Sequence, residues 1–348
     1  MKVIKIDKAK WASGVSSLQG TYKIIGPAVD GDAHNFKELA KGEEPDFNFL
    51  NTKLSPKSIV FPQSEKMLEY SVDENKEDHH IMKEVKKDYS PRAVVGIRPC
   101  DAKAINLVKM NFDTDDYKDP YWLKLYEATT FVGLACDKPC DSCFCTSTGC
   151  GPYNEEGLDI LLKEDGASYV AKALTEKGET LLGAAGFSDA GDEAAFEAGK
   201  KDAEAKITSS VQTDKLKDFS TLDLYNADFW EDLSFACLNC GTCTFACPTC
   251  WCFDIQDEVK GKDGVRVRNW DSCMFPLFTM HTTGHNPRGT KEHRVRQRFM
   301  HKLKYFVDKY EKGIMCVGCG RCVNQCPVNI DIRKVCDVMN NHVPEPVK

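Results

Sequence analysis

Two hydrophobic rhythms divide the chain. Short apolar runs and alternating stretches mark residues 1–185, and helical spacing marks the last third. AVVGIRP (93–99) reads as a β-strand, and AKAINLVKM (102–110) as the helix after it, with Asp101 as N-cap. TFVGLAC (130–136) reads as a second buried strand, again ending at a cysteine. Strand-to-helix turns of this kind put strand carboxyl ends where ligands bind in α/β sheets. KSIVFPQSEKMLEY (57–70) predicts a strand, a turn and a helix; LDILLKEDGASYVAKAL (158–174) predicts a hairpin around Asp165-Gly166. From 186 to 220, SDAGDEAAFEAGKKDAEAK and its surroundings predict a charged, solvated helical linker. Residues 221–348 are mostly helical in pattern. Within KEHRVRQRFMHKLKYFVDKYEKG (291–313), Val295, Phe299, Leu303, Phe306 and Tyr310 share one face, and Gly313 stands as the expected C-cap. The expected fold class is α+β: a mixed α/β domain over 1–185, the linker, and a helical domain over 221–348.

Composition narrows the setting. The 348 residues are 42% hydrophobic and 28% charged, with a net charge of -7, which suits a globular protein and disfavours a nucleic-acid partner. The amino terminus lacks the apolar core of a signal peptide, and no run approaches the roughly 18 apolar residues of a membrane helix. A cytoplasmic protein is expected. Eighteen cysteines in such a chain read as metal ligands or redox centres rather than as disulfides.

Their spacing is the strongest signal. CLNCGTCTFACP carries Cys237, Cys240, Cys243 and Cys247; CVGCGRCVNQCP carries Cys316, Cys319, Cys322 and Cys326. Each run is C-x2-C-x2-C-x3-C-P. Three close thiolates suit three corners of one cubane, and in two-cluster ferredoxins the fourth cysteine ligates the other cluster. This assigns Cys237, Cys240, Cys243 and Cys326 to one 4Fe–4S cluster, and Cys316, Cys319, Cys322 and Cys247 to another. Gly241 and Gly320 leave room for backbone N–H groups near cluster sulfurs. Zinc, the rival, takes two C-x2-C pairs and not two triplets each closed by C-P.

The long spacer between the runs resembles the α-helical ferredoxin domain of iron–sulfur subunits. CPTCWCFD, RVRNWDSC (266–273), GHNPRG (284–289), GIRPCDAKAI (96–105) and ACDKPCDSCFCTSTG (135–149) together resemble a narrower family. It comprises the two-cluster iron–sulfur proteins typified by the ferredoxin-like chain of anaerobic sulfite reductase and by the beta chains of cytosolic nickel–iron sulfhydrogenases. The likeness runs from about residue 57 onward. It implies a redox partner, whether hydrogenase, flavoprotein or heterodisulfide-reductase-like chain. It also implies a third iron–sulfur cluster held by Cys100, Cys136, Cys143 and Cys145. Two strands that both end in cysteine agree with that. Cys140 and Cys150 depart from the family pattern, and either is a substitute ligand. A zinc site or a redox-active dithiol is the alternative there.

Cys250, Cys252 and Cys273 stay open among buried thiols, hydrogen-bond donors that tune a cluster, and a further metal site with His281 or His285. Arg266, Arg268, Arg288, Arg294, Arg296 and Arg298 make the cluster region basic, as a solvated face or as countercharge to the clusters. Trp230, Trp251 and Trp270 are expected to shield clusters from water. No dinucleotide, Walker A or H-E-x-x-H motif is present, and no catalytic residue is assigned. The expected function is electron relay within an anaerobic multi-subunit oxidoreductase: hydrogenase, sulfite reductase or heterodisulfide-reductase-linked flavin complex. The alternative is a sulfur- or disulfide-reducing subunit with a redox-active cysteine centre in the first domain.

Overall fold

Apolar alternation in the first half produces a sheet buried on both faces. In the computed structural model, which describes residues 2–344, the strands are β1 (Val3–Asp7), β2 (Lys23–Asp30), β3 (Ala33–Glu38), β4 (Ser64–Ser71), β5 (Lys83–Glu84), β6 (Arg92–Ile97), β7 (Thr129–Leu134), β8 (Ile160–Asp165), β9 (Ser168–Ala173), β10 (Phe253–Lys260) and β11 (Asp263–Trp270). Seven of them, among the described residues, lie in the order β1-β9-β8-β7-β6-β2-β3. The central strands β2, β6, β7 and β8 run parallel, and β1, β9 and β3 complete the edges antiparallel.

Strand residues alternate between two cores. Val94 and Ile97 of β6 face one side with Leu161 of β8; Ala93 and Val95 face the other with Ile160 and Leu162. Helices α1 (Lys8–Leu18) and α4 (Glu176–Ala184) cover the second side through Trp11, Val15, Leu18, Leu181 and Leu182. Helices α2 (Pro99–Phe112), α3 (Pro120–Glu127) and α5 (Ala194–Ala205) cover the first. Met315, Val317 and Cys319 of the second cysteine run join that first core, so the two halves of the chain pack as one body. A third core holds the carboxyl-terminal half together around Trp230, Phe299, Leu303 and Val335. Its helices are α6 (Thr221–Tyr225), α7 (Phe229–Ser234), α8 (Thr242–Phe245), α9 (Lys291–Met300), α10 (Phe306–Tyr310), α11 (Arg321–Asn324) and α12 (Ile332–Asn340). Among the described residues no helix is long and apolar enough to cross a membrane.

Several local expectations change. The helix expected near 64–70 is strand β4, because β11 pairs with it, Arg268 opposite Glu65. Register and a distant partner override helix propensity there. The second sheet, β10-β11-β4-β5, therefore stitches the helical half to the first. Arg268 is consequently not a solvated charge: its guanidinium is buried against Glu65 and Asp119. Asp101 is not the N-cap of α2. Arg98 holds that place, and Asp101 lies inside the first turn. The linker helix α5 is mostly exposed but anchors Phe196 and Ala203 in the core. The long helix over 291–313 is interrupted by a π-turn at His301–Tyr305 and ends at Glu311, φ 53, with Gly313 beyond it.

Candidate metal centre

The two cysteine runs fold alike. In each, the glycine after the second cysteine takes a left-handed conformation, φ 76 at Gly241 and 71 at Gly320, and caps a four-residue helix. An L side chain is unfavourable at such φ values. Space forbids one as well, since a Cβ on Gly320 would lie 2.1 Å from Ser142 Oγ, and one on Gly241 would lie 2.8 Å from the Phe275 ring. The two short helices, α8 and α11, pack side by side.

That pairing brings cysteines from both runs together. Cys237, Cys240, Cys243 and Cys326 line one enclosed hollow, together with Arg298 and Ile330. Backbone N–H groups already point at two of these sulfurs: Ile330 N to Cys326 Sγ, 3.1 Å, and Asn239 N to Cys237 Sγ, 3.4 Å. Cys240 is solvent-exposed, so this site reaches the surface. Cys247 goes the other way. Its thiol is an electrostatic neighbour of Cys316, Cys319 and Cys322. Burial pushes the Cys319 thiol up to about 12 and Cys322 up to about 11, with Arg321 and Arg298 pulling the other way. Iron binding reverses such a shift, because the ligand must be thiolate.

A third group sits at the carboxyl ends of β6 and β7. Cys100, in the first turn of α2, meets Cys136, Cys140, Cys143 and Cys145 around one hollow. Cys150 does not line it; its thiol turns toward Gly151 O, 3.8 Å. Cys319 forms part of the same wall. Cys143 Sγ approaches Cys319 O at 3.8 Å, and Phe144 N donates to Gly318 O at 2.9 Å. The three groups are thus contiguous: the first-domain thiols abut Cys319, and Arg298 lies beside both Cys243 and Cys322. Among the described residues no three His, Cys, Asp or Glu side chains converge closely enough to hold a single metal ion. Thiols spread around a hollow suit a polynuclear group, which takes its ligands at separate corners.

Buried positive charge supplies an independent test of fit. Lys57, Arg298 and Lys302 are buried, and none has a carboxylate partner among the described residues. Lys57 Nζ donates to the carbonyls of Thr244, Cys247 and Cys250 at 2.9–3.1 Å and lies 4.2 Å from the Trp270 ring centroid. The π-turn delivers Lys302, whose Nζ donates to Thr249 Oγ1 at 2.7 Å. Burial opposes the charge on Lys302, and the neighbouring Cys247, Cys250 and Cys316 overcome it. Uncompensated buried cations are costly. Thiolate-ligated iron–sulfur groups are net anions and would neutralise all three.

Neither Lys57 nor the partner of Arg321 is marked in the sequence. Arg321 forms a bidentate pair with Asp101, 2.5 and 2.7 Å, and also binds Thr52, which ties the second run to helix α2. Nothing local marks Lys57. Lys302 had a legible signal, a basic residue four after Arg298 beside an apolar stripe. Of the other arginines, Arg266 pairs with Asp257 at the surface, whereas Arg294 and Arg296 are buried on α9. Trp230 is fully buried and donates to Leu224 O, and Trp270 donates to Phe61 O. Cys252 and Cys273 are neighbours at the base of the β10–β11 hairpin, with Cys250 nearby. His281 and His285 face solvent and contact each other.

Residues 236–330 match the family described as 4Fe-4S dicluster domain. Over 343 residues the chain is 28% identical to the sulfhydrogenase 2 subunit beta of Pyrococcus furiosus, covering 97% of this chain and 98% of that one. No solved structure matches.

Proposed function

We propose that this chain, an iron–sulfur subunit similar along nearly its whole length to a sulfhydrogenase beta subunit, relays single electrons through three adjacent cysteine-bound centres. It is an electron-transfer subunit of a hydrogenase-type complex. The bound clusters supply the one-electron redox chemistry, and the chain supplies placement, dryness and charge. Cys237, Cys240, Cys243 and Cys326 hold one cluster; Cys316, Cys319, Cys322 and Cys247 hold the next. Four of the five first-domain thiols, Cys100, Cys136, Cys140, Cys143 and Cys145, hold a third. The observation that carries this reading is contiguity: Cys319 borders the first-domain hollow, and Arg298 stands between the two ferredoxin-type sites. Cys240 is the surface ligand, so the Cys237 site is the terminus that faces a partner redox subunit.

The substitution Cys326→Ala tests the relay. Cys326 lies in the second run, yet the variant loses the cluster of the first run and keeps the second. It still takes up electrons from dithionite but hands them to a viologen acceptor far more slowly. Loss of the second-run cluster instead would refute the exchange of outlying cysteines.

A second reading draws on the five thiols around the first-domain hollow, one more than a cubane takes. It makes the spare thiol a sulfur- or disulfide-reducing group. Alkylation of the anaerobic protein separates the two: an active spare thiol is modified without iron loss, and a purely structural one is not modified.

A further inference from the structure

The buried arginines of this protein are almost all paired. Arg268 meets Glu65 and Asp119, Arg321 meets Asp101, Arg296 meets Glu292, and Arg294 donates to Arg288 O. Arg298 is the exception. It is 4% exposed, its Nε has no partner, and among the described residues its guanidinium makes no hydrogen bond or salt bridge. Its one polar contact is with an aromatic face, 4.3 Å from the Phe299 ring centroid. The side chain lines the hollow formed by Cys237, Cys240, Cys243 and Cys326, beside Met274 and Val295. A desolvated guanidinium with five unused donors is expensive unless an anion accepts from it. Lys57 and Lys302 spend their donors on carbonyls and a hydroxyl near Cys247. Arg298 alone keeps its donors free, and the open volume in front of it is the Cys237 hollow.

We infer that Arg298 donates into the Cys237–Cys326 site and sets the reduction potential of the group bound there. It is a positioning residue with a fixed charge: reduction adds an electron to an anion, and a buried cation beside it favours the reduced form. The Cys237 site is therefore held at a higher potential than its thiolates alone would give. The inference rests on the cluster assignment proposed above.

Dye-mediated redox titration of the anaerobic full chain, followed by EPR and paired with iron analysis, tests it. In Arg298→Gln the reduced-to-oxidised ratio of the Cys237-site signal at a fixed poise should fall about tenfold, equivalent to about 59 mV for a one-electron couple. Arg298→Lys, which keeps the charge, should show less than half that shift. Full iron content with an unshifted potential in Arg298→Gln overturns the inference. If Arg298→Gln loses the site's iron, Arg298→Lys decides. Retained iron with a near-native potential supports the role of the charge, and equal iron loss shows that the side chain only fills space. An unsubstituted chain without iron at the Cys237 site would overturn the cluster assignment itself.

Discussion

Asp101→Asn isolates the joint between the two halves of the molecule. The Asp101 and Arg321 side chains are 1% and 2% exposed, and their fork is bidentate. Replacing the carboxylate leaves a buried guanidinium beside an amide that offers one acceptor and turns an N–H toward another N–H. Removing one partner of a buried pair costs about 3–5 kcal/mol. The Thr52 carbonyl and hydroxyl, each 2.9 Å from the guanidinium, still accept from it, which places the loss near the lower end, about 3 kcal/mol. That is roughly a hundredfold in the folded-to-unfolded ratio. Urea unfolding of the anaerobic protein, followed by tryptophan fluorescence and by cluster absorbance, reads it as a lower midpoint at unchanged slope. Asp101→Leu combined with Arg321→Met should recover most of the loss, since an apolar pair of similar volume is often neutral or better. A single-variant loss below about 1 kcal/mol, as for an exposed ion pair, would refute the buried-joint reasoning.

Gly318→Ala tests the contact between the first-domain thiols and the second run. Gly318 has φ 63, and a Cβ there would sit 2.5 Å from Cys145 N. The variant should lose first-domain iron before any other, and iron analysis after mild warming checks that order. Lys57→Met removes an ammonium shared by three loop carbonyls and should destabilise the Cys247 loop by about 2–4 kcal/mol, read as faster bleaching of cluster absorbance in urea. His301 is half-hidden under Trp251, and burial, with Lys302 second, lowers its pKa to about 4 from 6.5. The unfolded chain therefore takes the proton first, and stability falls as pH drops from 6.5 toward 4 and levels off below. His301→Gln should flatten that part of the stability profile by about 3 kcal/mol relative to the unsubstituted chain; parallel profiles would exclude it.

Local signals were readable wherever the cause was local. The β6 and β7 strands, the Asp165-Gly166 hairpin and the cysteine spacings all follow from neighbours a few residues apart. Assignments failed where a distant partner decided. Glu65 reads as a helix residue until Arg268 pairs with it across β4 and β11. Asp101 reads as a cap until Arg321 claims it, 220 positions later. The convergence of Cys100 with Cys136 and Cys145 was visible as two strands ending in cysteine. The shared wall at Cys319 was not, because it depends on how the second run docks against α2. Arg298 stood in the sequence as one basic residue among six, and only burial without a partner sets it apart.

Iron and acid-labile sulfide analysis with EPR on the anaerobic full chain is the most direct test of the thiol-bound relay. Three adjacent 4Fe–4S clusters require about twelve iron atoms per chain and, on reduction, spectra broadened by coupling between neighbours. About eight iron atoms would remove the first-domain centre. A colourless chain carrying zinc would contradict the relay altogether.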